Sequence, residues 1–156
     1  MPDSERTPMA QGAGSGAGVG AQWRGLVHGW AAGRNLHREE DTVSVSLRFD
    51  LTEAGRSVTA RFMTTRRLLV AFMTDGRFLR GDQLATAAAA ANAWNTEQLV
   101  PMLSVWDVRG PRPCIAGVCT LPLNCRMSQP EFDLLADEWL EQARQMFLRC
   151  HQVFKL

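Results

Sequence analysis

Between Thr42 and Leu51 the stretch TVSVSLRFDL alternates strictly: Val43, Val45, Leu47, Phe49 and Leu51 are apolar, and Ser44, Ser46, Arg48 and Asp50 between them are polar. A period of two predicts a strand with one wet face. After the turn-forming TEAG, SVTARFM repeats the alternation through Val58, Ala60 and Phe62. After TTRR comes LLVAFM, apolar throughout and closed by Asp75-Gly76, which reads as a central strand. Three such runs with short connections predict an antiparallel meander.

The period then changes. Leu84, Ala87, Ala88, Ala91 and Trp94 recur at spacings of three and four, one stripe of a helix for which Asp82 is the expected N-cap. Alanine on that stripe lets a helix backbone lie close to a sheet. Two further strands follow, PMLSVWDV and CIAGVCTLPL, joined by a Gly-Pro turn. Pro101 and Pro122 fit strand ends or an edge, because proline cannot donate to a ladder.

The last element carries the clearest signal. Ser128 and Glu131 form a capping box with Pro130 in the first turn. Phe132, Leu135, Ala136, Trp139, Leu140, Ala143, Met146, Phe147, Cys150, Val153 and Phe154 then keep helical spacing. A helix over 131–154 runs about 36 Å at 1.5 Å per residue. That is more than a small sheet covers, so the Phe147–Phe154 end is expected to overhang or to meet another chain.

The N-terminal part is different in kind. QGAGSGAGVGAQ cannot bury enough area to offset the entropy of ordering it, so residues 1–22 are expected to be a disordered Gly/Ala-rich tail. Gly12, Gly14 and Ala17 match part of a dinucleotide-binding G-x-G-x-x-G/A, but no strand precedes them, and a linker is the better reading. In WRGLVHGWAAGRNLH, residues 23–37, Trp23, Leu26, Val27 and Trp30 have helical spacing against Gly25, Gly29 and Gly33. Each of those glycines costs about 1 kcal/mol in a helix interior. A short, weak helix that packs its two tryptophans on the body is expected.

The order is therefore (α)-β-β-β-α-β-β-α: an α+β domain over 23–156, with a five-stranded antiparallel sheet and helices on one face. At 156 residues a single domain can bury a real core. A net charge of +1 gives no electrostatic case for nucleic acid or an anionic membrane. No apolar run approaches the ~18 residues needed to span a bilayer, and no secretion signal is visible, so a cytoplasmic protein is the expectation.

Candidate chemistry is sparse. Asn92 and Asn95 flank Trp94, an arrangement that could read a small ligand in a cleft beside the indole. The better reading is an end fitting: Asn95 ends the helix in a left-handed conformation, Trp94 is core, and Asn92 bonds a neighbouring loop. Cys114, Cys119, Cys125 and Cys150, with His151, supply enough zinc ligands, but not in the close pairs that metal sites use. Cys150 falls on an apolar stripe, where a thiol acts as a small hydrophobe. His28, His37 and His151 pair with no recognisable nucleophile, and no Gly-x-Ser-x-Gly elbow exists. Glu39-Glu40-Asp41 and Asp137-Glu138 read as solvated, and Met63, on the polar phase of its strand, as exposed. No catalytic residue, metal or cofactor is assigned.

The element order, with Ala91-Asn92-Ala93-Trp94-Asn95 ending the middle helix, resembles the YbjN-like family, described as proposed bacterial sensory transduction regulators. Pro101 opening a strand, TLPL at 120–123 closing one, and the capped helix from Ser128 to Phe147 around Trp139-Leu140 complete the resemblance over 42–154. It departs from the family at 23–37, a poor match to the opening helix. The resemblance implies a fold similar to type III secretion chaperones, which dimerise and hold partner polypeptides, and it brings no catalytic residues. The expectation is a non-enzymatic interaction module, chaperone- or adaptor-like and homodimeric. Asn92, Trp94, Asn95, Trp139, Phe147 and Phe154 are its candidate motif or contact residues. A partner would be met by strand addition or a helix-in-groove contact. The alternatives are a small-ligand binder or enzyme beside Trp94, and a thiol or zinc sensor.

Overall fold

The structure, a computed structural model, describes residues 18–51 and 56–156. The expected turn at 52–55 and most of the expected tail, residues 1–17 with Gly12, Gly14 and Ala17, lie outside the described residues. The chain runs α1 (Val19–Gly33), β1 (His37–Glu40), β2 (Ser44–Leu51), β3 (Arg56–Thr64), β4 (Leu68–Thr74), α2 (Leu84–Glu97), β5 (Met102–Trp106), β6 (Cys114–Pro122), α3 (Gln129–Gln152). It is an α+β fold with one antiparallel sheet in the order β1-β2-β3-β4-β6-β5.

Alternation builds the sheet as its sequence predicts. Val45, Phe62, Ala71 and Cys119 lie opposite one another across β2, β3, β4 and β6, all buried. That face and the buried residues of all three helices form one core. The sheet has six strands rather than five. The extra strand, β1, reads HREE, exposed at every position, so no apolar period marks it. At its other end β2 begins one residue later than its alternation: Val43 is exposed in a turn whose N–H and that of Ser44 both donate to Asp41 Oδ1.

Helix α1 is a full 15-residue helix, not a weak one, and it starts at Val19, inside the expected tail. Tertiary packing outweighs its glycines. Trp23, Leu26, Val27 and Trp30 are buried as one stripe. At Gly29 a Cβ would sit 2.5 Å from Gln129 Oε1, and Gln129 Nε2 donates to the Leu26 carbonyl at 3.0 Å. The missing side chain lets α3 reach the α1 backbone there. Trp30 Nε1 donates to Asp137 Oδ1 at 3.0 Å, and Arg34 closes an ion pair on the same carboxylate. Asp137 is thus an inter-helix tie, where the sequence reads as solvated.

Helix α2 is capped differently from expectation. Asp82 lies in a 3-10 turn, Gly81–Gln83, and pairs with Arg80; the turn leads directly into the helix at Leu84. Ala87, Ala90 and Trp94 are its buried positions, and Ala88 is exposed. Helix α3 has the predicted capping box, with Ser128 Oγ accepting from the Glu131 N–H. It ends at Gln152, and the chain reverses. Phe147 is fully buried, Phe154 packs half-buried on the core, and Leu156 returns into it. The expected overhang does not exist, and with it goes that reason for expecting a second chain at this end.

Candidate functional site

The two amides around Trp94 have different fates. Helix α2 continues past Asn95 and stops at Gln98, which is extended, so Asn95 is not a left-handed cap. Its side chain reaches β5 instead: Asn95 Nδ2 donates to the Leu103 carbonyl at 2.9 Å, and the Leu103 N–H donates to Asn95 Oδ1 at 2.9 Å. Trp94 is buried, and its Nε1 donates to the Pro101 carbonyl at 2.8 Å. Asn92 is exposed, and among the described residues its side chain bonds no loop; its backbone carbonyl accepts from Thr96 Oγ1. The stretch is an end fitting, but one that clamps a strand.

That clamp decides how a partner could approach. Among the described residues, strand β5 is an edge, paired with β6 alone. The Asn95 amide occupies the Leu103 N–H and C=O on its open side, in the way a neighbouring strand would. The other edge, β1, carries only polar and charged side chains and is tied to α1 through Glu40, which pairs with Arg24 and, at 3.0 Å, with His28 Nε2. Occupied backbone groups and charged residues are both means by which natural sheets resist added strands. Strand addition, one expected mode, is disfavoured at both edges.

The sheet face opposite the helices is open to another mode. Its side chains lie outside the core shared with the helices, although Ala116 and Ser44 on it are themselves buried. On β2 and β3 it is polar, with Ser46, Arg48, Asp50, Thr59 and Arg61. On β4, β6 and β5 it is apolar: Val70 and Phe72, Val118, then Met102 and Trp106, the last two about half exposed. Phe72 and Trp106 meet edge to face, with centroids 4.7 Å apart. LLVAFM is apolar throughout because its second face supplies this strip. Met63, on β3 opposite Val70, borders it half-buried. Three strands at ~4.8 Å and about five residues at ~3.3 Å give the strip on the order of 240 Å².

A second constellation lies where β4 and α3 end. Asp75 is buried, and its Oδ2 lies 3.1 Å from His151 Nε2 and 3.2 Å from Arg77 Nε. The Arg77 N–H donates to Asp75 Oδ1 at 3.2 Å. Burial opposes ionisation of Asp75, but the bonds from His151 and Arg77, with the Arg77 charge, hold its carboxyl below the ordinary range. His151 Nδ1 lies 2.6 Å from the Leu156 carbonyl oxygen, to which Arg77 also donates. Sequence reading missed this cluster, because its members come from distant segments and none sits in a local motif.

No protein-family model and no curated protein sequence matches the chain. Among solved structures, a crystal structure of YbjN from E. coli, described as a proposed transcription regulator, superposes with a TM-score of 0.69. The match covers 86% of this chain and 95% of that one at 14% identity. The fold is YbjN-like.

Within this YbjN-like fold the other expected site residues are dispersed. Trp139 and Phe147 are core residues of α3. Trp139 also lines an open groove of about 420 Å³ with Leu99, Val100 and Leu135. Cys119 and Cys150 are buried, and burial pushes each thiol up to about 12. Cys114 and Cys125 are half-buried. Among the described residues no three His, Cys, Asp or Glu side chains converge as a metal site. None of the described helices is long and apolar enough to cross a membrane.

Proposed function

We propose that the chain is a non-catalytic protein-interaction module of regulatory or adaptor type, cytoplasmic and homodimeric, which binds through the uncovered face of its sheet. The carrying observation is the apolar strip of Val70, Phe72, Val118, Met102 and Trp106 on the sheet face away from the helices. A standard interface buries about 800 Å² per partner, so the strip is the desolvated centre, and polar neighbours such as Arg61 and Ser104 supply the rim. Likeness of fold to YbjN supports a regulatory reading. A rigid face carrying a half-exposed tryptophan suits a hot spot. The first occupant is a second copy of the chain, face to face; a heterologous partner would use the same face.

Light scattering on the native chain and on Trp106→Glu at micromolar concentration tests this. The native chain should show twice the chain mass, and the variant the single mass with an unchanged circular dichroism spectrum. Affinity purification of the two from the native cytoplasm should recover a partner with the native chain only. A native monomer that brings down no protein would sink the reading.

A further inference from the structure

Trp94 holds both ends of the loop that joins α2 to β5. Its carbonyl accepts from the Gln98 N–H at 2.8 Å, and its Nε1 donates to the Pro101 carbonyl, also at 2.8 Å. Between those pins the chain carries Leu99, 90% exposed, and Val100, 42% exposed. A loop fixed at both ends has little freedom to fold a leucine back onto the core, so this apolar surface is built in. On α3, Leu135, Glu138, Trp139 and Gln142 recur at i, i+3, i+4 and i+7 and form the other wall of the open groove of about 420 Å³. Leu134, the preceding residue, is 72% exposed. Arg149 Nη2 donates to Glu97 Oε1 at 3.1 Å and ties the end of α2 to α3 at a residue that itself lines the groove. Both charged lining residues, Glu97 and Glu138, are acidic. Arg149 offsets Glu97, and Glu138 has no ion pair among the described residues. Preformed apolar walls thus meet a carboxylate that nothing on the chain compensates.

We propose that this groove seats a basic amphipathic helix of a partner protein, with aliphatic side chains against Leu99, Val100, Leu135 and Trp139 and a lysine or arginine opposite Glu138. An extended segment would need backbone groups to pair with. The interior N–H and C=O groups of α3 are used within that helix, and Trp94 takes the Gln98 N–H and the Pro101 carbonyl. A helix satisfies its own backbone and brings only side chains. Leu135 to Gln142 covers about 10 Å at 1.5 Å per residue, two turns, which suits apolar residues a turn apart on the incoming helix. The proposal rests on the protein-interaction reading and gives it a second surface, between α3 and the α2–β5 loop. It does not depend on the outer face of the sheet being an interface.

The test is titration of the full chain, followed by nuclear magnetic resonance, with three acetylated and amidated helical peptides. Each has leucine on one face, and lysine, glutamine or glutamate on the other. The lysine peptide should shift the methyl signals of Leu99, Val100 and Leu135. At low salt it should bind about fivefold more tightly than the glutamine peptide, the scale of one partly screened ion pair. Glu138→Gln should remove that preference, and Leu99→Ser should weaken the lysine peptide about fivefold or more. Both positions are exposed, so neither change should disturb folding. Equal binding of the lysine and glutamate peptides would overturn the basic partner. Shifts confined to Phe72, Val118 and Trp106 would overturn the groove and leave the outer face standing as the interface. No shift at any residue would overturn the groove, whatever the mass that light scattering gives for the chain.

Discussion

The side chain of Asn95 and the backbone of Leu103 form a closed pair of hydrogen bonds, each 2.9 Å long, that occupies Leu103 on the open side of β5. One carboxamide offers a donor and an acceptor in the spacing of a peptide group, so a helix residue stands in for a strand. Trp94, one position earlier, pins the Pro101 carbonyl and sets the depth of α2 against the sheet. Together they fix the edge that lies beside the apolar strip.

Asn95→Ala removes both bonds and leaves the Leu103 N–H and C=O open. Each net bond contributes about 0.5–1.5 kcal/mol, so a loss of ~1–3 kcal/mol is expected. Asn95→Asp should fare no better, since it keeps an acceptor for the N–H but sets a carboxylate against the carbonyl. Urea unfolding should show a lower midpoint with an unchanged slope. Static scattering near the midpoint should rise as the freed edge pairs between molecules. An unaltered midpoint for Asn95→Ala would remove the clamp.

Much of this fold is legible because its signals are local. The alternation from Val45 to Leu51 places each side chain on its face, and the Ser128/Glu131 box fixes the start of α3 within one turn. What was not legible depends on tertiary relationships. The polar HREE edge has no apolar face to betray it. The glycines of α1 argue against a helix by propensity, whereas Gly29 is where α3 comes closest. Helix length alone argued for an overhang at Phe147; the reversal after Gln152 depends on Leu156 finding Arg77 and His151. The same holds for the site residues. That Trp94 would be core follows from its stripe, but the target of Asn95 lies on a strand whose path the helix pattern does not contain.

The cysteines give a sharp chemical contrast. Burial pushes the thiols of Cys119 and Cys150 up to about 12, so on the order of one in ten thousand is thiolate at pH 8. Both side chains are also sealed in the core. Iodoacetamide at pH 8 should label half-buried Cys125 in the native chain and leave Cys119 and Cys150 untouched; in denaturant all four cysteines should react. Peptide mass mapping against time reads the order. Labelling of native Cys150 as fast as Cys125 would mean that the end of α3 opens readily, contrary to its packing.

Asp75 should give the fold a pH dependence of definite sign. Burial alone would raise its carboxyl, but hydrogen bonds from His151 and from the Arg77 N–H, with the Arg77 charge, lower it below the ordinary value of 3.8. A depressed folded-state value means that the unfolded chain takes up the proton first. The stabilisation is therefore present above about pH 4 and is lost as the pH falls through the lower folded-state value. Asp75→Asn removes the charge at every pH and leaves the Arg77 guanidinium, itself about a third exposed, without its anion, a cost of about 1–2 kcal/mol near pH 7 after solvent screening of the exposed partner. The gap between native and variant, measured by urea unfolding at pH 5 and pH 3, should be smaller at pH 3. Hydrogen exchange at Leu156, whose N–H is bonded to Cys150, should quicken in the variant as His151 and Arg77 lose their anchor. A gap that stayed the same down to pH 3 would show that Asp75 is not ionised in the native fold.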